Sequence, residues 1–348
     1  MKHFLIAVSL FILFSSSVHA GVAIFSTSAP IWTFNTIATV GNLNIAGVFQ
    51  TTGTGAVKTI TVNWGDGTSN TYAGVIDQAY SKTYSSAGTY LVRVFASSPA
   101  VLTKYTMTTS TASVSFNIGQ LPSGMTYMNL SGNNTVSGSI ASLPSGMTYL
   151  FAVGSNTISG SIASMPSGMT YLYLGGSNTV SGSVASMPSG MTVLYIGGSN
   201  TISGSITSLP SGMTYMYLGG SNTVSGSITS LPSGITVLYI VGNNTISGSV
   251  ASLPSGMIVL YVTGNNTLNS YTTRTWKANN MSEVILIPVS SGGLSQANVD
   301  QLLIDLAASG TWLAPKLVTL TGTNAAPSSA SAAAIITLTG NGVTVSHN

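Results

Sequence analysis

The sequence predicts a mainly β chain: an N-terminal β-sandwich, then a solenoid of short parallel strands, then C-terminal strand-helix capping repeats. Three observations support this prediction. One 22-residue unit recurs seven times without insertion between residues 121 and 274, which is typical of a solenoid. Short alternating strand patterns precede these units, and a helical pattern appears only after them. The 348-residue chain has no cysteine, so its stability must come from packing and backbone hydrogen bonds.

Four parts are predicted along the chain. The first part carries a positive charge at Lys2, followed by an apolar run and a final Val-His-Ala. This pattern is typical of a secretory signal peptide cleaved near Ala20. That run is too short for a permanent anchor, and no later stretch could span a membrane. We therefore expect a secreted or cell-surface protein whose mature chain has no membrane span. The predicted parts are the signal peptide (1–20), the sandwich (21–110), the solenoid (111–274) and the capping repeats (275–348).

The predicted sandwich contains two turn-and-strand motifs. In the first, Trp64-Gly-Asp-Gly-Thr68, Asp66 stands between two glycines and favours a tight turn. The second is Tyr84-Ser-Ser-Ala-Gly-Thr-Tyr90. These motifs and their spacing resemble the polycystic-kidney-disease (PKD) domain, a small β-sandwich, although Lys82 stands near the place of the histidine usual in that family. The resemblance implies a spacer or a carbohydrate-adjacent module on a secreted protein.

The repeat 165–186, MPSGMTYLYLGGSNTVSGSVAS, shows why stacking is expected. Pro166 and Gly168 suit a type I turn. Apolar residues then alternate with two tyrosines from Met169 to Leu174, which indicates a short strand. One unit cannot bury its own apolar side, whereas stacked copies can.

The stretch Met169–Val180 resembles the LxxLxLxxNxL motif of leucine-rich repeats, with Asn178 one place later than usual. VSGSI at 224–228 is similar to the LSGxIP segment of the plant-type subclass. The resemblance covers roughly 121–274 and implies that the strand face is concave and binds ligands.

An asparagine occupies the same position in every repeat. We interpret these residues as a stacked ladder that satisfies backbone groups where each coil turns, rather than as a ligand site. The ladder comprises Asn134, Asn156, Asn178, Asn200, Asn222, Asn244 and Asn266.

Aromatic residues occupy two outward columns of the predicted strands. Neighbours would lie about 4.8 Å apart on a parallel sheet. Such a row suits sugar rings or a protein partner, but stacked tyrosines also stabilise a sheet in their own right, and both readings stay open. The candidate binding residues are Tyr127, Tyr149, Tyr171 and Tyr215 in one column, and Phe151, Tyr173, Tyr195, Tyr217, Tyr239 and Tyr261 in the other.

Charge is nearly absent, which excludes several functions. Only 4% of residues are charged, and Lys104 and Arg274 enclose a stretch without any charged residue or histidine. This stretch lacks the paired carboxylates of a glycosidase, the ligand clusters of a metal site and the basic surface of a nucleic-acid binder. His347 is the only histidine after the predicted signal peptide. We therefore predict a non-enzymatic protein with no metal or cofactor and no nucleic-acid partner.

The C-terminal part combines strand patterns with a helix. Ser295 could cap a helix whose apolar residues share one face, with Gly310 closing it. Asp300 and Asp305 are expected on its solvated side. Such repeats would cover the open end of the solenoid.

These patterns predict a recognition or adhesion protein that binds an extracellular glycan or protein through the concave face. The alternative is a structural protein that self-associates in a cell envelope or a viral fibre, because low charge and flat repetition favour assembly. A regular threonine and serine surface also suits ice or crystalline polysaccharide.

Overall fold

The computed structural model describes residues 29–52, 58–73, 77–107, 110–276, 281–289, 292–310 and 312–348. The predicted signal peptide lies outside these residues. No helix among them is long and apolar enough to cross a membrane.

A β-sandwich forms the N-terminal part, with Trp32, Trp64 and Tyr105 in its core. The Tyr84 hydroxyl donates a hydrogen bond to the Trp64 carbonyl at 3.1 Å and so ties the two sequence motifs together. The sandwich fold is observed, whereas membership of the PKD family stays a prediction. Its strands are β1 (Trp32–Ala38), β2 (Asn44–Thr51), β3 (Thr59–Asn63), β4 (Ser69–Ala73), β5 (Gln78–Thr83), β6 (Gly88–Phe95), β7 (Leu102–Met107) and β8 (Ser113–Asn117).

The repeats form a solenoid of parallel strands, as the leucine-rich-repeat resemblance predicts. Each coil contains two strand segments that meet at a corner, and in the first six coils a 3-10 turn capped by a serine follows them; Ser183, for example, accepts a hydrogen bond from the Ala185 amide. In some coils the two segments join into one long, bent strand. The strands are β9 (Tyr127–Ser139), β10 (Tyr149–Gly154), β11 (Thr157–Ser161), β12 (Tyr171–Ser183), β13 (Val193–Ser205), β14 (Tyr215–Ser227), β15 (Val237–Gly242), β16 (Thr245–Ser249), β17 (Val259–Gly264) and β18 (Thr267–Ser270).

Strands and helices alternate after the solenoid. Ser295 caps the first helix by accepting a hydrogen bond from the Asn298 amide, and the alanine-rich segment forms most of the second helix. The elements are β19 (Glu283–Pro288), α1 (Gln296–Ala307), β20 (Leu317–Leu320), α2 (Ala332–Gly340) and β21 (Thr344–His347).

The expectation that both aspartates of α1 face solvent is wrong for Asp300, whereas Asp305 is half-buried. Asp300 is buried and accepts hydrogen bonds from Ser328 and Ser331, which tie α1 to the start of α2. Asp305 accepts hydrogen bonds from the Tyr271 hydroxyl and the Arg274 amide, and so joins α1 to the last 22-residue coil.

Two sheets run from the sandwich through the solenoid. Both β7 and β8 pair in parallel with β9, one with each of its halves. The sandwich therefore covers the N-terminal end of the solenoid core, and the predicted division between residues 110 and 111 lies within these sheets. The inner sheet has the order β5-β2-β7-β9-β10-β12-β13-β14-β15-β17-β19-β20-β21, and the outer sheet has the order β4-β3-β6-β1-β8-β9-β11-β12-β13-β14-β16-β18.

The registers of the two sheets differ. In the inner sheet Tyr173 pairs with Tyr195, its equivalent one repeat later, whereas in the outer sheet Ser181 pairs with Thr201, only 20 residues later. Equivalent residues are therefore about 4.8 Å apart in the inner sheet and about 8 Å apart in the outer one, given the usual strand spacing and rise. Such unequal spacing means that successive coils are rotated as well as translated.

Candidate functional site

The seven asparagines of the predicted ladder are buried at the corner between the two sheets. The side-chain carbonyl of Asn200 accepts a hydrogen bond from the Val180 amide of the preceding coil at 3.0 Å. Its side-chain NH2 group donates to the carbonyl of Gly197 in its own coil and to that of Gly219 in the next. One asparagine thus connects three coils. The same bond to the amide 20 residues earlier is made by Asn134, Asn156, Asn178, Asn200, Asn222, Asn244 and Asn266.

The structure brings nine of the ten candidate aromatic residues together in two stacks on the inner sheet. Tyr215 stands apart, because Val193 and Val237 occupy the positions beside it in its column. Neighbouring ring centroids in the stacks are between 3.9 and 4.6 Å apart. The short stack comprises Tyr127, Tyr149 and Tyr171, and the long stack comprises Phe151, Tyr173, Tyr195, Tyr217, Tyr239 and Tyr261.

The ring spacing supports the predicted concave shape of this face. Strands in a sheet lie about 4.7–4.9 Å apart, whereas the Tyr173 and Tyr195 ring centroids above them are 3.9 Å apart. Coils that approach each other above the inner sheet must curve towards it. Such a curve would place the aromatic stacks on its inside.

Stacking covers the faces of the rings. The Tyr173 and Tyr195 rings are inclined by only 7°, and the Tyr195 and Tyr217 rings by 14°. Each inner ring therefore has a neighbour on both of its faces. Ring edges remain for contact with a partner, and open faces remain only at the ends of a stack. Neighbouring hydroxyls of the long stack also interact with one another.

The stacked rings also lie against the neighbouring backbone. A Cβ atom at Gly219 would lie 3.4 Å from a ring carbon of Tyr217, and one at Gly197 would lie 3.6 Å from a ring carbon of Tyr195. Parts of the Tyr195 and Tyr217 rings therefore pack over the backbone of their own strands.

The long stack is half-buried and uncharged. Burial raises the pKa of the Tyr195 phenol, and the adjacent Tyr173 raises it further. Burial likewise raises the pKa of Tyr217, and the adjacent Tyr195 raises it further by a smaller amount. The phenols therefore stay protonated at neutral pH, when they can both donate and accept hydrogen bonds.

Charged residues flank the short column at its two ends. Lys104 precedes Tyr127 in register; its ammonium group lies 5.3 Å from the Tyr127 ring centroid and is paired with Asp77 at 2.8 Å. Glu283 follows Val259 in the same column. Sequence reasoning missed both residues as part of the face, although each stands at an outward position of a strand beside the repeats.

Metal ligands do not cluster in this part of the molecule. Across the described ranges, no group of three or more His, Cys, Asp or Glu side chains could hold a metal ion.

No protein-family model and no curated protein matches the chain. A solved structure of a plant peptide hormone receptor, RGFR1 in complex with RGF2, is similar to part of it, with 21% sequence identity and a TM-score of 0.36. The similarity covers 59% of this chain and 34% of the receptor chain. The chain thus spans about a third of the receptor.

Proposed function

We propose that the protein is a non-enzymatic, secreted or cell-surface recognition protein of the leucine-rich-repeat type. The observation that carries the proposal is the long aromatic stack on the concave inner sheet. Its six rings, five of them phenols, present their edges over consecutive coils without an intervening charge. Many weak, equivalent contacts along such a row add up to useful affinity for an elongated partner.

Ring stacking favours a polypeptide over a glycan as that partner. A sugar packs its ring on an open aromatic face, but the faces of Tyr195 and Tyr217 are covered by their neighbours. A polypeptide offers apolar side chains to the ring edges and amide groups to the hydroxyls, as in many protein interfaces. The sandwich, which closes the N-terminal end of the solenoid, would act as a rigid cap and spacer.

Export is part of the proposal. The apolar run after Lys2 and the Val-His-Ala sequence before residue 21 support a cleaved signal peptide. Sequencing the N-terminus of the protein recovered from culture medium or from cell surfaces tests this, because cleavage near Ala20 predicts a chain that begins close to Gly21.

A binding screen tests the recognition function. The chain from residue 21 onward is applied to panels of extracellular proteins, cell surfaces and polysaccharides. A variant with Tyr173, Tyr195, Tyr217 and Tyr239 changed to alanine should lose binding. The matched control changes four exposed threonines at the same coil spacing but near the outer sheet, and should retain it: Thr157, Thr179, Thr201 and Thr223.

The panel also separates the partner classes. If the chain binds only polysaccharides, the partner is a glycan and not a polypeptide. If the tyrosine variant still binds, the concave face is not the binding surface.

Self-assembly is the second candidate, and one observation favours it. Among the described residues β21 pairs only with β20, so one edge of this strand is open to another strand. Filaments or large particles in light scattering and electron microscopy, together with a blank binding screen, would favour this candidate.

A further inference from the structure

The short aromatic column contains a gap near its C-terminal end. From Tyr215 onward, consecutive strands place Val237, Val259 and Glu283 at the position that a tyrosine holds in four other coils. Both valines are half-buried. Tyr215 and Glu283 are three strand spacings apart, about 14 Å. Two short apolar side chains therefore form a floor between a phenol and a carboxylate.

The long stack forms one wall of this gap. Tyr217, Tyr239 and Tyr261 stand beside Tyr215, Val237 and Val259 in the neighbouring column of the same three strands, with ring centroids 4.3 and 4.0 Å apart. Ring edges of an aromatic side chain and an apolar floor suit an aliphatic chain.

Glu283 has no partner at the end of the gap. Its side chain makes no hydrogen bond or ion pair with any described residue, and it is half-buried. Burial raises the pKa of its carboxyl group. Burial raises the pKa of Tyr215 most, and the neighbouring tyrosines raise it further. Glu283 makes the smallest contribution, as expected if its carboxylate and the Tyr215 phenol face the same gap. Partial burial of a carboxylate costs free energy unless a cation pairs with it.

We propose that this gap binds a lysine or arginine side chain of the partner polypeptide. The aliphatic stem of that side chain lies on Val237 and Val259, and its cationic group meets Glu283. Charge complementarity selects this occupant, because Glu283 is the only acidic residue placed among the two columns between β9 and β19. This inference rests on the proposed recognition function and adds the chemistry that the partner must carry.

Titration with small probes tests the site before any natural partner is known. The chain from residue 21 onward, with labelled valine methyl groups, is titrated with N-acetyl-lysine methylamide and with the uncharged N-acetyl-norleucine methylamide. The methyl signals of Val237 and Val259 should shift with the lysine probe, and its affinity should exceed that of the norleucine probe about tenfold. The Val193 methyl signals, two strands from the gap, serve as the internal control.

Three variants complete the test. Glu283→Gln should lower the affinity for the lysine probe to that for norleucine, while the amide spectrum stays native. Val259→Tyr should abolish the shift of the remaining Val237 methyl signals, since it fills the gap with the residue that the same column holds at Tyr127, Tyr149, Tyr171 and Tyr215. Val193→Tyr adds a tyrosine outside the gap and should leave probe binding unchanged.

The outcomes separate this site from the general function. Equal binding of both probes, or full binding by Glu283→Gln, overturns the site even if the tyrosine variant loses a partner in the binding screen. Probe binding that needs Glu283, in a chain that finds no partner in the screen, supports the site and overturns the wider recognition function.

Discussion

Replacing Asn200 by alanine should destabilise the protein by more than replacing Asn244. Asn200 accepts a hydrogen bond from the Val180 amide and donates to the carbonyls of Ile196, Gly197 and Gly219. Asn244 accepts the equivalent bond from the Val224 amide, but its buried side-chain nitrogen has no partner among the described residues.

The two substitutions share most of their cost. Each leaves a buried amide without an acceptor, at about 1–3 kcal/mol, and each removes the same side-chain volume. Only Asn200→Ala also removes the bonds made by its NH2 group, at about 1 kcal/mol for each of its two hydrogens. We therefore expect the free energy of unfolding to fall by about 2 kcal/mol more for Asn200→Ala than for Asn244→Ala.

Urea unfolding of the chain from residue 21 onward, followed by circular dichroism, measures this difference. Long repeat proteins can unfold in several steps, so hydrogen exchange of the Val180 and Val224 amides gives a local check. Both amides should exchange faster in their own variant. Equal losses of stability in the two variants would refute the hydrogen-bond count as the origin of the ladder's contribution.

Three further predictions concern other parts of the fold. Gly182→Ala should destabilise the protein by at least about 1 kcal/mol, because Gly182 has φ +108° and a Cβ there would lie 2.5 Å from the Ser161 hydroxyl. The control Gly190→Ala should be nearly neutral in thermal unfolding, because the nearest atom to a Cβ at Gly190 is 3.7 Å away. Burial of Asp300 opposes its ionisation, but hydrogen bonds from Ser328 and Ser331 hold its pKa below the usual value. Its contribution is therefore present above about pH 4 and is lost as the pH falls through the lowered pKa, and Asp300→Asn should flatten this part of the stability profile. The raised pKa of Tyr195 and its neighbours makes folding stabilise the protonated phenols, so stability should fall as the pH rises above about 10, with tyrosinate absorbance appearing at higher pH in the folded chain than in urea.

Local alternation in the sequence was sufficient to predict the solenoid interior. In the repeat 165–186, Met169, Leu172 and Leu174 are buried and the two tyrosines between them are half-exposed. The cap of α1 at Ser295 was equally local, since it depends on one side chain and the next few backbone amides.

The outer register was not predictable from the 22-residue period. A strict repeat leads to the expectation that every residue pairs with its equivalent, yet the outer sheet pairs residues 20 apart. The asparagine corner accounts for the shift, because each side-chain carbonyl binds the amide 20 residues earlier. Such a bond depends on where the chain bends in three dimensions, and no spacing within one repeat reveals it. The buried position of Asp300 has the same origin, because its partners lie about 30 residues later in the chain.

A perfectly repetitive face would have no preferred alignment for an elongated partner. Shifting the partner by one coil, about 4.8 Å, would place it on the same residues again, as Tyr195 replaces Tyr173 and Tyr217 replaces Tyr195. The departures from the repeat remove this degeneracy: Lys104 marks one end, and the gap with Glu283 marks the other. A partner with a cationic side chain at the right distance would bind in one register, and filling the gap by Val259→Tyr should produce several bound registers. Cross-linking of the bound partner, followed by mass spectrometry, distinguishes one set of contacts from a series displaced by whole coils. A single set in both chains would show that the alignment is determined elsewhere.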